Sequence, residues 1–268
     1  MQVLEIYDKN ADLRSHGKNI FKTMEKFFAN YPLEYRRNYD KNLETLDFLK
    51  CDTLDSDAYS GSYDTSRNVI FFSNSNSLGH ELFHVASYDA LQETSGFESD
   101  RDFDQGLLEG MTEYFRTKAY GLTSPDDYSF QVFCVMMLEN IPDIFKYYFI
   151  PNYFEFIKLF PNKKDIYNLL FSLDEFHNGY MRYLESFAMD KDDEALDINA
   201  MKMAIRNTIN NLISIELSMN NDKQKLIKYR DKFMDLLGSV GIELEIKKFC
   251  PKYYEYAEAQ LKRRILER

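Results

Sequence analysis

The chain has 268 residues, 44% of them hydrophobic and 16% aromatic, a composition that implies a folded globular protein and excludes wholesale disorder. Its formal charge of −11 repels a phosphate backbone and argues against nucleic acid as a partner. The three cysteines, Cys51, Cys134 and Cys250, are widely spaced and form no CxxC pair, and the longest apolar run, Val132 to Leu138, is too short to cross a bilayer.

In chain order, the first predicted element is an amphipathic helix from about Lys18 to Asn30, where Ile20, Phe21, Met24, Phe27 and Phe28 recur at helical spacing before Pro32. The stretches "LETLDFLKC" and "YSGSYDTSRNVIFFS" have strand and turn character, with Gly61 and Asp64 as punctuation and Val69 to Phe72 as a β-favouring run. Next comes "LGHELFHVAS", read as a helix that Asn76 or Ser77 caps and that Leu78, Leu82, Val85 and Ala86 bury. From Leu107 onward helical periodicity dominates, with segments expected near 107–120, 127–139, 164–172, 175–188, 197–218, 222–237 and 252–267. Prolines fall between them, where the missing N–H costs least. The acidic stretch Asp190 to Asp197 reads as a surface loop, and the terminal Lys262, Arg263, Arg264 and Arg268 as solvated charge.

His80 and His84 are four residues apart, so a helix aims both imidazoles to one side, the spacing that two zinc ligands need. Glu81 projects to their flank, where a carboxylate acts as a base without ligating the metal. The segment reads HExxH, the zincin pattern. The competing reading is two hydrogen-bonded histidines at a helix interface. A peptidase site needs a third protein ligand, and "QGLLEGMTEYFRTKAYG" offers Glu109, with Glu113 one turn on as an acceptor for a histidine's other ring nitrogen. Glu113 alternatively pairs with Arg116 on a solvated face. Asp100, Asp102 or Asp104 is a lesser option for the ligand, in an acidic loop without helical pattern. A metzincin is excluded, because Ser87 and Ala90 stand where its glycine and third histidine belong.

HExxH followed by a helix with a glutamate ligand resembles the gluzincins, the thermolysin-like and aminopeptidase-type zinc metallopeptidases, and "LLEGMTEY" is similar to the ligand helix of several of them. The resemblance covers about Gly61 to Tyr120. It implies one zinc ion per chain on His80, His84 and Glu109, with Glu81 as general base and Glu113 supporting a histidine. It also implies a substrate strand beside the metal, a place that "NVIFFS", Asn68 to Ser73, occupies in sequence; the equal alternative for that stretch is an ordinary sheet strand supporting the histidine helix. A histidine or tyrosine donor to the oxyanion would come from a later helix, with His177 and Tyr180 as candidates.

The expected architecture is α+β and predominantly helical, with a zincin-like region over 1–120 and a helical portion over 121–268 that completes the cleft, the two forming one continuous domain. The expected function is zinc-dependent hydrolysis of peptide bonds in a peptide or protein substrate, in the cytoplasm, since the amino terminus lacks a secretory apolar stretch. Two alternatives stand beside it: a non-enzymatic binding or regulatory protein on a zincin scaffold, and a dedicated peptidase with a single protein substrate. Oligomeric state has no signature in the sequence.

Overall fold

The structure is a computed structural model that describes residues 17–50, 61–73, 75–97, 104–123, 125, 128–188, 198–243 and 253–267. Cys51, Cys250, His16, Asp100, Asp102 and the stretch Asp190 to Asp197 lie outside those residues.

Helix α1 (Gly17–Phe28) buries Phe21, Met24, Phe27 and Phe28, one face of its apolar pattern. After Pro32, α2 (Leu33–Leu43) is a helix that apolar periodicity did not announce. Its buried face is Asn38, Tyr39, Asn42 and Leu43, and both asparagines earn burial by hydrogen bonding to backbone carbonyls elsewhere.

Strands β1 (Asp47–Lys50), β2 (Gly61–Asp64) and β3 (Val69–Phe72) form one sheet in the order β1-β3-β2. β3 runs parallel to β1 and antiparallel to β2. Asp64 closes the β2–β3 turn by accepting from Ser66 Oγ at 2.7 Å and Arg67 N–H at 3.1 Å. The strand expected to receive substrate is therefore corrected: Asn68 to Ser73 holds the central strand, whose backbone groups are spent on both neighbours, and β2 lies beside it. Gly61, expected as turn punctuation, is a strand residue.

Helix α3 (Ser75–Ser87) carries the histidines and starts earlier than expected, so Asn76 and Ser77 lie inside it and do not cap it. The short strands β4 (Tyr88–Asp89) and β5 (Thr94–Ser95) pair antiparallel after it. Then follow α4 (Gln105–Tyr120), α5 (Ser129–Leu138), the short α6 (Lys146–Phe149) and α7 (Tyr153–Lys158), and the long α8 (Lys163–Ala188). The pattern over α8 suggested two helices with a break near Leu173 and Asp174. The chain runs through, because Leu173 is fully buried and the Asp174 carboxylate accepts a backbone N–H from α4 at 2.6 Å. Helices α9 (Ile198–Met219), α10 (Lys223–Glu243) and α11 (Tyr253–Leu266) complete the described chain.

The architecture is predominantly helical with small sheets. One hydrophobic cluster includes Phe21 of α1, Ile70 of β3, Phe115 of α4 and Ile265 of α11. Among the described residues no helix is long and apolar enough to cross a membrane. At the terminal helix Lys262 pairs with Glu258 and Arg263 with Glu267 on the exposed surface, while Arg264 reaches Ser214 Oγ at 2.7 Å and so ties α11 to α9.

Candidate metal centre

Helix α3 is fixed at its carboxy-terminal end, where an α-helix leaves its last carbonyls without partners. Tyr148 Oη donates to the Phe83 carbonyl at 3.0 Å, Asn42 Nδ2 to Val85 and Tyr88 carbonyls at 2.9 and 2.8 Å, and Gly96 N–H to the Ser87 carbonyl at 3.0 Å. Leu78, Leu82, Val85 and Ala86 are buried, so the opposite face with His80 and His84 turns towards α4. The two helices come close at Gly79, where a Cβ would stand 2.9 Å from the Tyr120 ring of α4, and α4 in turn lies close to α5, where a Cβ on Gly110 would lie 2.8 Å from the Gln131 backbone.

The structure brings His80, His84 and Glu109 together, with one ligand atom from each lying within 4.8 Å of the others. His80 Nε2 is 3.0 Å from Glu109 Oε2 and 3.1 Å from His84 Nε2, and His84 Nε2 is 3.4 Å from Glu109 Oε2. Metal–ligand bonds of about 2.0–2.1 Å in a tetrahedron set ligand atoms about 3.3 Å apart, so this triangle has the edge lengths of a tetrahedral face. The other nitrogen of His80, Nδ1, is 3.2 Å from Glu113 Oε2. An Nδ1–H donated there leaves the Nε2 lone pair pointing at a carboxylate oxygen and at a second imidazole nitrogen. Three such atoms converge either around a positive charge or through a proton on one of them, such as the Nε2–H of a neutral His84.

Between these side chains alone, a proton on His80 supplies that charge. Burial opposes it, but the hydrogen bonds to Glu109 and Glu113 and the nearby Glu81 charge raise the His80 pKa to about 10. Burial also disfavours charge on Glu109, yet both histidines hold that carboxyl well below its usual range. Glu113 is 1% exposed and receives two guanidinium hydrogen bonds from Arg116, each 2.8 Å. The pair with Arg116 thus exists, but it is buried, and Glu113 meets Arg116 and His80 together. With Glu113 matched by Arg116, the charge of one divalent cation would balance the remaining carboxylates Glu81 and Glu109.

Glu81 is 5% exposed and receives the Tyr63 backbone N–H from β2. Burial raises its pKa, and Glu109 adds to the rise, while His80, His84 and the Tyr63 N–H oppose it. A Cβ on Gly61 would stand 2.9 Å from Glu81 Oε1 and 2.8 Å from Ser77 Oγ, so glycine at this point lets β2 approach the glutamate.

His177 of α8 lies close to this group through Tyr128. The Tyr128 ring stacks on His80 at 5.6 Å and 27°, and its centroid is 5.8 Å from that of His177. Tyr128 adopts φ +53°, a left-handed conformation that is uncommon for a bulky residue and found at functional sites. His177 is buried, which lowers its pKa, and its Nδ1 is 3.4 Å from Gln131 Nε2. Tyr180 stacks on Phe176 at 6.0 Å and 9°. Asp104 is buried at the amino-terminal end of α4 and is not one of the three converging residues. Tyr128, Tyr63 and Arg116 as a buried partner were not singled out from the sequence, and Gly61 was singled out only as turn punctuation. One tyrosine among 20 carries no signal, whereas the three-residue spacing of Glu113 and Arg116 did signal a pair but was read as a solvated one, and the structure buries it.

Comparison with protein-family models, with curated proteins and with solved structures finds no match to this chain.

Proposed function

We propose that the chain is a zinc-dependent peptidase of gluzincin type, with His80, His84 and Glu109 as metal ligands and Glu81 as general acid and base. The observation that carries this reading is the triangle of two imidazole nitrogens and one carboxylate oxygen with a separate buried carboxylate, Glu81, beside it. A purely structural zinc site uses four protein ligands, and an adjacent base has no task there.

Zinc, when bound, acidifies water and polarises the scissile carbonyl. Glu81, its carboxylate oriented by the Tyr63 N–H, takes the proton from water and delivers it to the departing amine. Glu113, itself held by Arg116, keeps the His80 proton on Nδ1 and the lone pair on Nε2. His177 is neutral through burial; with Nδ1 accepting from Gln131, its Nε2 carries a proton for the developing oxyanion. β2 pairs only with β3 among the described residues; with the Tyr63 N–H given to Glu81, an extended peptide would use the remaining groups of its other edge.

Elemental analysis of protein purified without chelator tests the ligand set. Wild type and Glu81→Gln are expected to hold about one zinc per chain, and Glu109→Ala to lose it. On a mixture of quenched fluorescent peptides, Glu81→Gln is expected to lose about 10²–10⁴-fold in turnover. Absence of metal from wild type after zinc is added back would falsify the assignment. Bound zinc without hydrolysis of any peptide would favour the binding-protein or single-substrate alternatives.

A further inference from the structure

The first turn of α4 is not capped by its own side chain. Asp104, its N-cap residue, makes no side-chain cap hydrogen bond, although the first N–H groups of an α-helix have no partner within it. The capping carboxylate comes from α8 instead: Asp174 Oδ1 accepts the Gly106 N–H at 2.6 Å, across 68 residues of chain. At the same point the two backbones come close, and a Cβ on Gly106 would lie 2.8 Å from the Leu173 carbonyl oxygen.

Asp174 is 3% exposed, and its second oxygen, Oδ2, is buried without a hydrogen-bond partner. A serine or threonine at the N-cap position would satisfy the same N–H without burying a carboxyl group. A local cap, however, does not tie one helix to another.

One turn beyond this contact, each helix carries a residue of the candidate centre. Glu109 follows Gly106 by three positions and His177 follows Asp174 by three, so each shares a helix face with its neighbour in the contact. The Glu109 charge acts on His177. The contacts of His177 with other elements are loose ones: the hydrogen bond with Gln131 Nε2 is 3.4 Å long, near the limit for such a bond, and the Tyr128 ring lies 5.8 Å away between centroids. Where the imidazole stands is therefore decided by where α8 stands.

We infer that Asp174 is a positioning residue, which acts on His177 by fastening α8 to the first turn of α4 and so sets the place of the imidazole relative to Glu109. The inference rests on the oxyanion role proposed for His177, but the placement can be read without metal or substrate.

Proton–carbon correlation NMR of the histidine Cε1–H groups in the full chain tests it. The chain has four histidines, and His177→Gln assigns the resonance of interest by its loss. The nearby Tyr128 ring current makes that resonance sensitive to displacement. Asp174→Ala is expected to move it while the His80 and His84 resonances stay in place, and Asp174→Asn to keep it at the wild-type position, because the amide oxygen still accepts from Gly106. Should Asp174→Ala not fold, Asp174→Glu takes its place: it sets the carboxylate one methylene further out, and the same displacement is expected. On the fluorescent peptides the displaced variant is expected to lose about 10–100-fold in kcat, with KM and zinc content unchanged.

An unmoved His177 resonance overturns the inference. So does a displacement that His80 and His84 share, which marks a general loosening of the fold, or one as large in Asp174→Asn as in Asp174→Ala. A displaced resonance with unchanged kcat removes His177 from the reaction and overturns the positioning role as well. Wild-type protein that cleaves no peptide retires the peptidase reading alone, since the resonances still decide whether Asp174 places His177.

Discussion

His80 has both ring nitrogens committed, one to Glu109 and one to Glu113, and Glu113 is in turn clamped by Arg116. The ring therefore has one orientation, and Arg116 acts on it only through Glu113. Arg116→Met leaves a buried carboxylate without its cation and frees it to draw His80 away from the triangle. Its zinc affinity, read by chelator competition, is expected to fall about 10–100-fold, with partial recovery in Arg116→Lys. Asp174 makes a prediction that is independent of metal. Burial raises its pKa from 3.8 to about 7, only partly offset by the Gly106 N–H. A carboxyl whose pKa is higher in the folded state binds its proton more tightly there, so its contribution to stability is complete below about pH 4 and is lost as pH rises to about 7. Across that window Asp174→Asn should flatten the stability profile in urea titrations by on the order of a few kcal/mol. Parallel profiles for the two proteins would remove the buried acid from the account.

At the scale of elements, the geometry depends on how near α4 lies to α3 and α5. Gly110→Ala places a methyl 2.8 Å from the Gln131 backbone, which forces the two helices apart and is expected to destabilise the fold by about 1–3 kcal/mol in chemical denaturation. Gly61→Ala places its methyl against Glu81 and Ser77 at the end of β2. The expected result is a loss of peptidase turnover with zinc content unchanged, since β2 supplies none of the ligands. The helices α1, α4, α5, α9 and α11 were legible in sequence to within two residues at each end, whereas α10 runs six residues past its expected end at 237. Helix α2 was not, because its buried face contains two asparagines, a pattern that reads as surface until Val85, Tyr88 and Phe149 are seen to supply acceptors. The continuity of α8 was hidden for a similar reason: Asp174 looks like a break unless the Gly106 N–H is known to reach it.

At the scale of the whole molecule, the proposed site joins elements that each contribute to one hydrophobic cluster of the described residues, with α3 and α4 supplying ligands, β2 orienting the base and α8 bringing His177. A metal held between α3 and α4, as proposed, would bind the folded chain and not the unfolded one and so would add to stability by mass action. Removing zinc with a chelator is expected to lower Tm, by the equivalent of about 2.7 kcal/mol when free zinc stood at 100 times its Kd. A Tm indifferent to chelator would mean that α3 and α4 are not joined through a metal. The sequence by itself determined that His80 and His84 share one helix face and that Glu109 and Glu113 share another, because the 3.6-residue period is a local property of the chain. It also determined the predominance of helix, through the apolar repeats after Leu107. Only the tertiary structure decided that those two faces meet, that Glu113 is buried with Arg116, that Tyr128 packs against both His80 and His177, and that β2, with β3 at the sheet's centre, approaches Glu81. Each of these is a contact between residues distant in sequence or a matter of burial, set by how helices and strands pack and by which backbone groups remain to be satisfied, and no periodicity along the chain encodes it.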